Sequence, residues 1–326
     1  MRRRGVPHRQ DALVEDPATP LEVWRGGVNT WECDEMGHMN VRFYVARAME
    51  GLVGLAAGFG LPGAFRANAS ATLLVREQHI RFMREALARA PLHMTAGVLD
   101  LGENEARILQ LLYHSNTGEI AASFVTVVAH VTARDERPFP WSQRTRALAR
   151  TLAAVVPPGA GPRGLGTAPA TSRADGTLAD ELGLMRLGAG AIGPEECDIF
   201  GRMRPEVFIG RVADNVPRLA GVFRDPAAAV APDRPASMGG AVVEYRLLHT
   251  AWPRAGDRFE IRSGMAAVDA RTQRLVHWMI DPASGRAWGS AEALAVSFDL
   301  ATRKVVEIGD ADRTRLARFI VPGLSL

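Results

Sequence analysis

A nine-residue motif occurs twice in this chain, as ECDEMGHMN at residues 32–40 and as ECDIFGRMR at residues 196–204. Aligning residues 32–50 with residues 196–214, at a constant offset of 164, gives identical residues at six of nineteen positions. Average composition would give about one identity over that length. Such similarity at a fixed spacing indicates a tandem duplication. We call the two copies the first motif and the second motif.

The length and composition fit two globular domains. The chain has 326 residues, of which 47% are hydrophobic and 23% are charged, and two domains of about 150 residues match the offset between the motifs. The sequence predicts a flexible lead over 1–20, a first domain over 21–140, a connecting helix with a Pro/Gly-rich linker over 141–175, a second domain over 176–310 and a C-terminal tail over 311–326.

The charge and the apolar pattern argue against several classes of protein. The net charge is +3, and the arginines are spread along the chain without a basic stripe interleaved with aromatics, so a nucleic-acid partner is not expected. Lys304 is the only lysine, which leaves no Gly-Lys pair for a phosphate loop. No window approaches about 18 uncharged apolar residues, and no His/Cys spacing fits a metal site. We expect a cytoplasmic protein without a metal or a membrane partner, and a homo-oligomer is possible.

A helix followed by strands is predicted after each motif. Apolar residues recur at helical spacing from Asn40 to about Phe59, and again from about Pro205 to Val222. Strand-like segments follow near residues 73–83, 92–101, 107–114 and 120–131, and near residues 241–248, 258–268, 275–280 and 287–298. A curved antiparallel sheet around a helix leaves an unpaired edge strand, and two such units can join edge to edge. The predicted class is therefore α+β, with two joined helix-and-sheet units.

The first motif resembles the Asp-x-x-Gly-His-(Val/Met)-Asn signature of hotdog-fold acyl thioesterases. The resemblance rests on Asp34, Gly37, His38 and Asn40 ahead of an apolar helix, and includes the 4-hydroxybenzoyl-CoA thioesterase-like and acyl-ACP thioesterase branches. It implies two tandem hotdog domains, each a long central helix wrapped by an antiparallel sheet, forming an intramolecular pseudo-dimer. It also implies an acyl-CoA or acyl carrier protein substrate, and no cofactor beyond the CoA or phosphopantetheine of that substrate. The second asparagine common in the family is Val41 here.

The residues of the first motif can supply the chemistry of thioester hydrolysis. This reaction needs a carboxylate that attacks the carbonyl or activates water, and donors that hold the oxyanion. Asp34 can be that carboxylate in either role. Backbone N–H groups near Asn40 and Val41 at the helix start can be the donors, and Gly37 lets a substrate approach closely. His38 could orient the carboxylate, polarise the carbonyl or protonate the leaving thiolate, and these three roles stay open.

Glu85 is the third catalytic candidate. Its stretch Arg84-Glu85-Ala86 resembles the Arg-Glu-(Cys) stretch that contains a catalytic carboxylate in some acyl-ACP enzymes. Aligning Arg81 with Arg246 places Thr250 opposite Glu85, so this carboxylate is expected to be missing from the second half.

The second motif keeps Asp198 and Gly201 but has Arg202 where the first motif has a histidine. We interpret it as a degenerate second site, and the second half as mainly a scaffold for one working site at the junction of the halves. In both motifs the aspartate could instead simply cap the turn.

Two other functions stay open at this level. A hotdog-fold enoyl-thioester hydratase or dehydratase would use the same fold, although the local sequence usual for those enzymes is not found. A non-catalytic acyl-thioester-binding protein would keep the carboxylate only as a cap. Trp252 is predicted to be a core or inter-half packing residue, and strand histidines such as His79 are predicted to be sheet or surface residues.

Overall fold

The computed structural model describes residues 20–223 and 238–326. The lead predicted over 1–20 therefore lies, apart from residue 20, outside the described residues. The first half contains β1 (Leu21–Gly27), α1 (Val41–Gly58), β2 (Ala71–Phe82), β3 (Pro91–Leu101), β4 (Glu105–His114), β5 (Ile120–Thr132) and α2 (Gln143–Thr151). The second half contains α3 (Gly176–Glu181), β6 (Met185–Ala191), α4 (Pro205–Ala213), α5 (Val216–Phe223), β7 (Met238–His249), β8 (Arg258–Val268), β9 (Thr272–Ile280), β10 (Ala287–Asp299) and α6 (Asp310–Ala317).

The strands of the described residues form one ten-stranded antiparallel sheet in the order β1-β3-β4-β5-β2-β7-β10-β9-β8-β6. The order of the second five strands mirrors that of the first five, as duplicated units joined at one edge require. The joint is the pairing of β2 with β7, which we call the seam, and its register runs from Glu77 opposite Leu248 to Arg81 opposite Glu244. Joining the halves here leaves neither β2 nor β7 as an exposed edge.

Helix α1 packs against β1, β3 and α4 and buries one of its faces. It begins at Asn40, whose side-chain oxygen accepts a hydrogen bond from the Arg42 N–H at 3.0 Å. Apolar side chains on its inner face pack into the core, namely Tyr44, Val45, Ala48, Leu52, Leu55 and Ala56. Gly54 lets the helix approach β1, since a Cβ there would lie 2.7 Å from the Val23 carbonyl oxygen.

The single helix predicted from Pro205 to Val222 is wrong, because the chain breaks it into α4 and α5. Pro217 has no N–H to donate and disfavours helical geometry at the residue before it. Asn215 stabilises the break, since its side-chain amide donates to the Arg211 carbonyl at 2.9 Å.

The Pro/Gly-rich segment over 157–169 passes across the seam and is held there by hydrogen bonds. Glu244 on β7 accepts main-chain N–H groups of this segment, including that of Gly164 at 2.8 Å. Arg246, two residues further on, donates to the Gly166 carbonyl at 2.8 Å. The linker between the halves therefore adds hydrogen bonds to the seam that it crosses.

Two ion pairs cross the seam in equivalent positions. His79 Nε2 lies 2.5 Å from Glu244 Oε1, and Arg246 Nε lies 2.7 Å from Glu77 Oε1. Burial alone would raise the pKa of Glu244, but hydrogen bonds from His79 and from main-chain N–H groups outweigh it and hold that pKa at about 2. His79 lies in the sheet, as predicted, and its ion pair across the seam was not expected from the sequence.

Within the described ranges 20–223 and 238–326, no helix is long and apolar enough to cross a membrane.

Candidate functional site

The first motif folds into a tight turn that fixes one oxygen of Asp34. Asp34 Oδ1 accepts the main-chain N–H groups of Met36 at 2.9 Å and His38 at 3.1 Å. The turn needs a left-handed residue, which Gly37 supplies with a φ of 79°. Among the described residues Asp34 Oδ2 has no hydrogen-bond partner, so one carboxylate oxygen is positioned but unoccupied.

The second motif folds into the same turn with a different outcome. Asp198 Oδ1 accepts the N–H groups of Phe200 and Arg202 at 2.8 and 3.0 Å, and Gly201 has a φ of 77°. Here, however, the Arg202 guanidinium donates to Asp198 Oδ2 from Nε at 2.9 Å and from Nη2 at 2.7 Å. Both oxygens of Asp198 are therefore occupied, which leaves this carboxylate without a free atom for chemistry.

His38 and Glu85, both predicted from the sequence, come together in the structure. Met39 N–H donates to the Ala86 carbonyl at 2.8 Å, which holds the motif beside the segment that follows β2. His38 is buried at 8% exposure, and its Nε2 lies 3.3 Å from Glu85 Oε2. The hydrogen bonds that fix the backbone thus also pair the histidine with this carboxylate.

Arg303 is a third member of this cluster, and sequence reasoning missed it. Its Nη1 lies 3.0 Å from His38 Nε2 and 3.4 Å from Glu85 Oε1. It belongs to the second half, on a turn after β10 that Asp299 stabilises by accepting N–H groups at its Oδ1, and it has a φ of 56°. A separation of 265 residues from His38 leaves no sequence signal for this contact.

The three side chains can exist in two proton arrangements. A guanidinium only donates, so its contact with Nε2 requires neutral His38 with the proton on Nδ1. If His38 is protonated, Nε2–H donates to Glu85 instead, and the two cations repel. The same three side chains thus allow His38 Nε2 either to accept from Arg303 or to donate to Glu85.

The helix start offers fewer free donors than the sequence suggested. The Asn40 N–H donates to the Glu32 carbonyl at 2.8 Å, so this amide is not available to an oxyanion. The Gly37 N–H is likewise used, by the Asp34 carbonyl at 3.0 Å. Val41, the first helical residue, has an N–H without a hydrogen-bond partner among the described residues. The candidate oxyanion donors narrow to this one amide.

The equivalent hydrogen bond in the second half corrects the predicted register. Met203 N–H donates to the Pro253 carbonyl at 2.7 Å, just as Met39 N–H donates to that of Ala86. Ala86 and Pro253 are therefore equivalent, at an offset of 253 − 86 = 167 residues.

Trp252, not Thr250, thus stands in the place of Glu85. The predicted pairing is wrong because the segment between motif and strand is three residues longer in the second half, the offset rising from 164 to 167. The conclusion drawn from that pairing is unaffected, since Trp252 supplies no carboxylate.

A cavity of about 250 Å³ lies beside the second motif, between residues 202–206 and the middle of α1. Apolar side chains of α1 and β2 form much of its wall, together with Trp252. The cavity and the free carboxylate therefore belong to different copies of the motif.

The two cysteines are not organised as nucleophiles. Cys33 Sγ and Cys197 Sγ lie 3.6 and 3.5 Å from main-chain carbonyls of Asn29 and Gly193. Burial raises the pKa of both thiols, which disfavours the reactive thiolate. In the described part of the chain, no group of three or more His, Cys, Asp or Glu residues is placed to hold a metal ion.

Solved structures share this fold over most of the chain. An assigned oleoyl thioesterase from Lactobacillus plantarum aligns with a TM-score of 0.64 at 10% identity, covering 86% of this chain and 98% of that one. The 12:0-ACP thioesterase from Umbellularia californica aligns with a TM-score of 0.62 at 10% identity, over 84% and 93%. An acyl-ACP thioesterase from Bacteroides thetaiotaomicron gives 0.58 at 11% identity, over 83% and 96%. These matches show the fold, which is of the hotdog type.

The family follows from the sequence match. The model of the thioesterase-like superfamily matches residues 28–149 and 192–316, which is more than half of the chain. No curated protein matches the sequence. The chain belongs to the thioesterase-like superfamily, and the prediction of a thioesterase is confirmed.

Proposed function

We propose that this protein hydrolyses acyl thioesters, carried on CoA or on acyl carrier protein, at one site formed by Asp34, His38 and Glu85. The observation that supports it most directly is the contrast between the two motifs. Asp34 keeps Oδ2 free, whereas Arg202 occupies that oxygen in Asp198. A carboxylate that attacks a carbonyl or activates water needs a free oxygen.

The architecture in this proposal is a double hotdog. Residues 21–140 and 176–310 form the two hotdog domains, residues 141–175 connect them and residues 311–326 are a tail. The mirrored strand order and the β2–β7 pairing support an intramolecular pseudo-dimer. The second half then has a direct part in the site, because its Arg303 reaches His38 and Glu85.

Each residue of the site has a chemical task in the proposed reaction. Asp34 Oδ2 either takes a proton from a water that attacks the thioester carbonyl, or itself attacks that carbonyl. In the second case the C–S bond breaks, the thiolate leaves, and water then hydrolyses the anhydride to release the acid and free Asp34. The Val41 N–H, at the positive end of an 18-residue helix, stabilises the oxyanion. Protonated His38, paired with Glu85, can give its proton to the leaving thiolate.

A thiol-release assay tests this function. Short, long and aromatic acyl groups are supplied on CoA and on acyl carrier protein, and wild type is compared with Asp34→Asn and Asp198→Asn. Asp34→Asn keeps the turn but loses the anionic oxygen, so we expect hydrolysis to fall by about 10²–10⁴-fold. Asp198→Asn is the matched control and has little effect.

Equal losses from the two substitutions would contradict a single site. Hydration of an enoyl-CoA without thiol release would identify a hydratase instead. Tight acyl-CoA binding with no turnover of any substrate would identify a binding protein.

A further inference from the structure

The cavity beside the second motif is walled by apolar side chains from both halves. Met49 and Val53 of α1, Phe65, and Leu73 of β2 line one side, and Trp252 lines the other. Val53 is also exposed to solvent, so it marks the mouth of the cavity. These walls fit an apolar chain rather than a polar metabolite.

Polar atoms without partners lie on residues that line this cavity. Arg202 is 2% exposed, and its Nη1 has no hydrogen-bond partner within the described residues, although its other two nitrogens bind Asp198. Trp252 is 9% exposed, and its Nε1 also lacks a partner there. Arg204 Nε likewise lacks a hydrogen-bond partner there, although it lies 3.3 Å from Glu206 Oε1. Buried donors are nearly always paired, so unpaired donors on three residues of one cavity lining indicate a missing acceptor.

The charged side chains around the cavity are paired with opposite charges, so the site does not require a strongly charged ligand. Arg202 pairs with Asp198, Arg204 Nε lies 3.3 Å from Glu206 Oε1, and Glu50 at the mouth pairs with Arg47 at 2.6 Å. Glu206 is 4% exposed with Oε2 unpaired, and burial raises its pKa. Three unpaired donors, on Arg202, Arg204 and Trp252, thus face one unpaired acceptor, Glu206 Oε2, so the lining lacks acceptor oxygens.

We infer that this cavity is a second acyl site, which binds an acyl chain through its carbonyl oxygen and does not hydrolyse it. The chain lies along Met49, Val53 and Phe65, and the oxygen accepts from Arg202 Nη1 and Trp252 Nε1. Hydrolysis does not follow, because both oxygens of Asp198 are already occupied. The inference goes beyond the proposed function and does not depend on it. A free fatty acid and an acyl thioester both present this chemistry.

Photolabelling of the full chain tests the second acyl site. The probes are dodecanoic acid with a diazirine near its end, and the CoA analogue of the same chain in which a methylene replaces the sulfur, so that the carbonyl remains but cannot be hydrolysed. We expect mass spectrometry to place the label on peptides containing residues 46–53 or Phe65. The probe that labels identifies the source of the acyl group.

Two variants and a control connect the label to the cavity. Val53→Trp fills the mouth and abolishes labelling, whereas Val155→Trp adds the same bulk at an exposed position outside the cavity lining and does not. Trp252→Phe keeps an aromatic ring but removes one donor, so affinity falls by about fivefold. Thermal unfolding establishes whether each variant is folded. If Val53→Trp does not fold, Trp252→Phe still tests the site.

Labelling by neither probe, labelling only away from the cavity, or labelling unchanged in both variants would overturn the inference. Because every readout is binding, a chain that hydrolyses no thioester can still pass this test. The converse also holds, since hydrolysis at Asp34 without labelling here would support the proposed function alone.

Discussion

The two motifs build the same turn, and single side chains decide what each turn offers. In the first, the residue four places after the aspartate is His38, which leaves Asp34 Oδ2 free and turns towards Glu85. In the second it is Arg202, which folds back onto Asp198. One substitution at one position thus separates a carboxylate available for chemistry from a structural one.

Arg303 is predicted to position the His38–Glu85 pair. It donates to both partners, and a hydrogen bond to a charged group is worth about 1.5–3 kcal/mol. Arg303→Ala should therefore lower kcat for thiol release by about tenfold or more. It should also change the pH profile of kcat, because Arg303 contacts Nε2 of His38, the nitrogen that holds the proton in the proposed reaction.

Arg271→Ala is the control, since Arg271 is also exposed, lies in the second half and pairs only with surface Glu307 among the described residues. Arg303→Ala with unchanged kcat and pH profile would show that the cluster plays no part in the reaction.

At the scale of elements, α1 is shaped by how closely it must approach its neighbours. Its two internal glycines face β1 and β3, where a Cβ on Gly51 would lie 2.6 Å from the Met94 sulfur. Glycine in a helix normally lowers stability. Its presence here indicates that the close approach of α1 to β1 and β3 matters more than helix propensity.

Gly54→Ala is predicted to destabilise the protein even though alanine is the better helix former. Propensity alone would favour alanine by about 1 kcal/mol, but the added Cβ would clash with the Val23 carbonyl oxygen, and overpacking costs about 1–3 kcal/mol. Chemical denaturation should show a net loss in the free energy of unfolding. Ala57→Gly, at an exposed position of α1, measures the propensity difference separately. A gain in stability for Gly54→Ala would contradict the close packing of α1 on β1.

At the scale of the whole molecule, the seam turns two sheets into one. The pairs His79–Glu244 and Arg246–Glu77 occupy positions related by the 167-residue offset, so the duplication has kept the carboxylate and varied its partner. The linker adds hydrogen bonds to the same place. A buried ion pair is costly unless its remaining atoms are satisfied, and here the main chain satisfies them.

The seam is predicted to weaken in acid through Glu244. Its pKa falls from 4.5 to about 2 on folding, so its contribution is complete above pH 4.5 and is lost as the pH drops from 4.5 towards 2. The shift corresponds to about 3 kcal/mol. The difference in Tm between wild type and Glu244→Gln should be largest near neutral pH and should shrink towards pH 2. Glu77→Gln removes the equivalent carboxylate but leaves Glu244 in place. This variant should therefore still lose the Glu244 contribution to stability as the pH drops from 4.5 towards 2. A pH-independent difference between wild type and Glu244→Gln would contradict this role.

Much of the fold could be predicted, because it follows from local patterns. The helix expected from Asn40 to Phe59 is observed over Val41–Gly58, and every predicted strand is present with shifts of a few residues. Local periodicity failed where one residue overrides it, as at Pro217. Alignment of the two halves failed where the segment between motif and strand differs in length, as in the pairing of Glu85 with Thr250.

The sequence by itself determined the duplication, the order of helix and strands in each half, and the candidates Asp34, His38 and Glu85. These follow from residue type and spacing along the chain, which act over short separations. Only the tertiary structure decided that Asp34 Oδ2 is free, that Arg303 joins His38 from the other half, and that a cavity lies beside the second motif. These depend on how side chains are placed in the folded chain, and for Arg303 and His38 on two segments far apart in the sequence meeting. Contacts between residues more than 200 positions apart leave no periodic trace in a single chain.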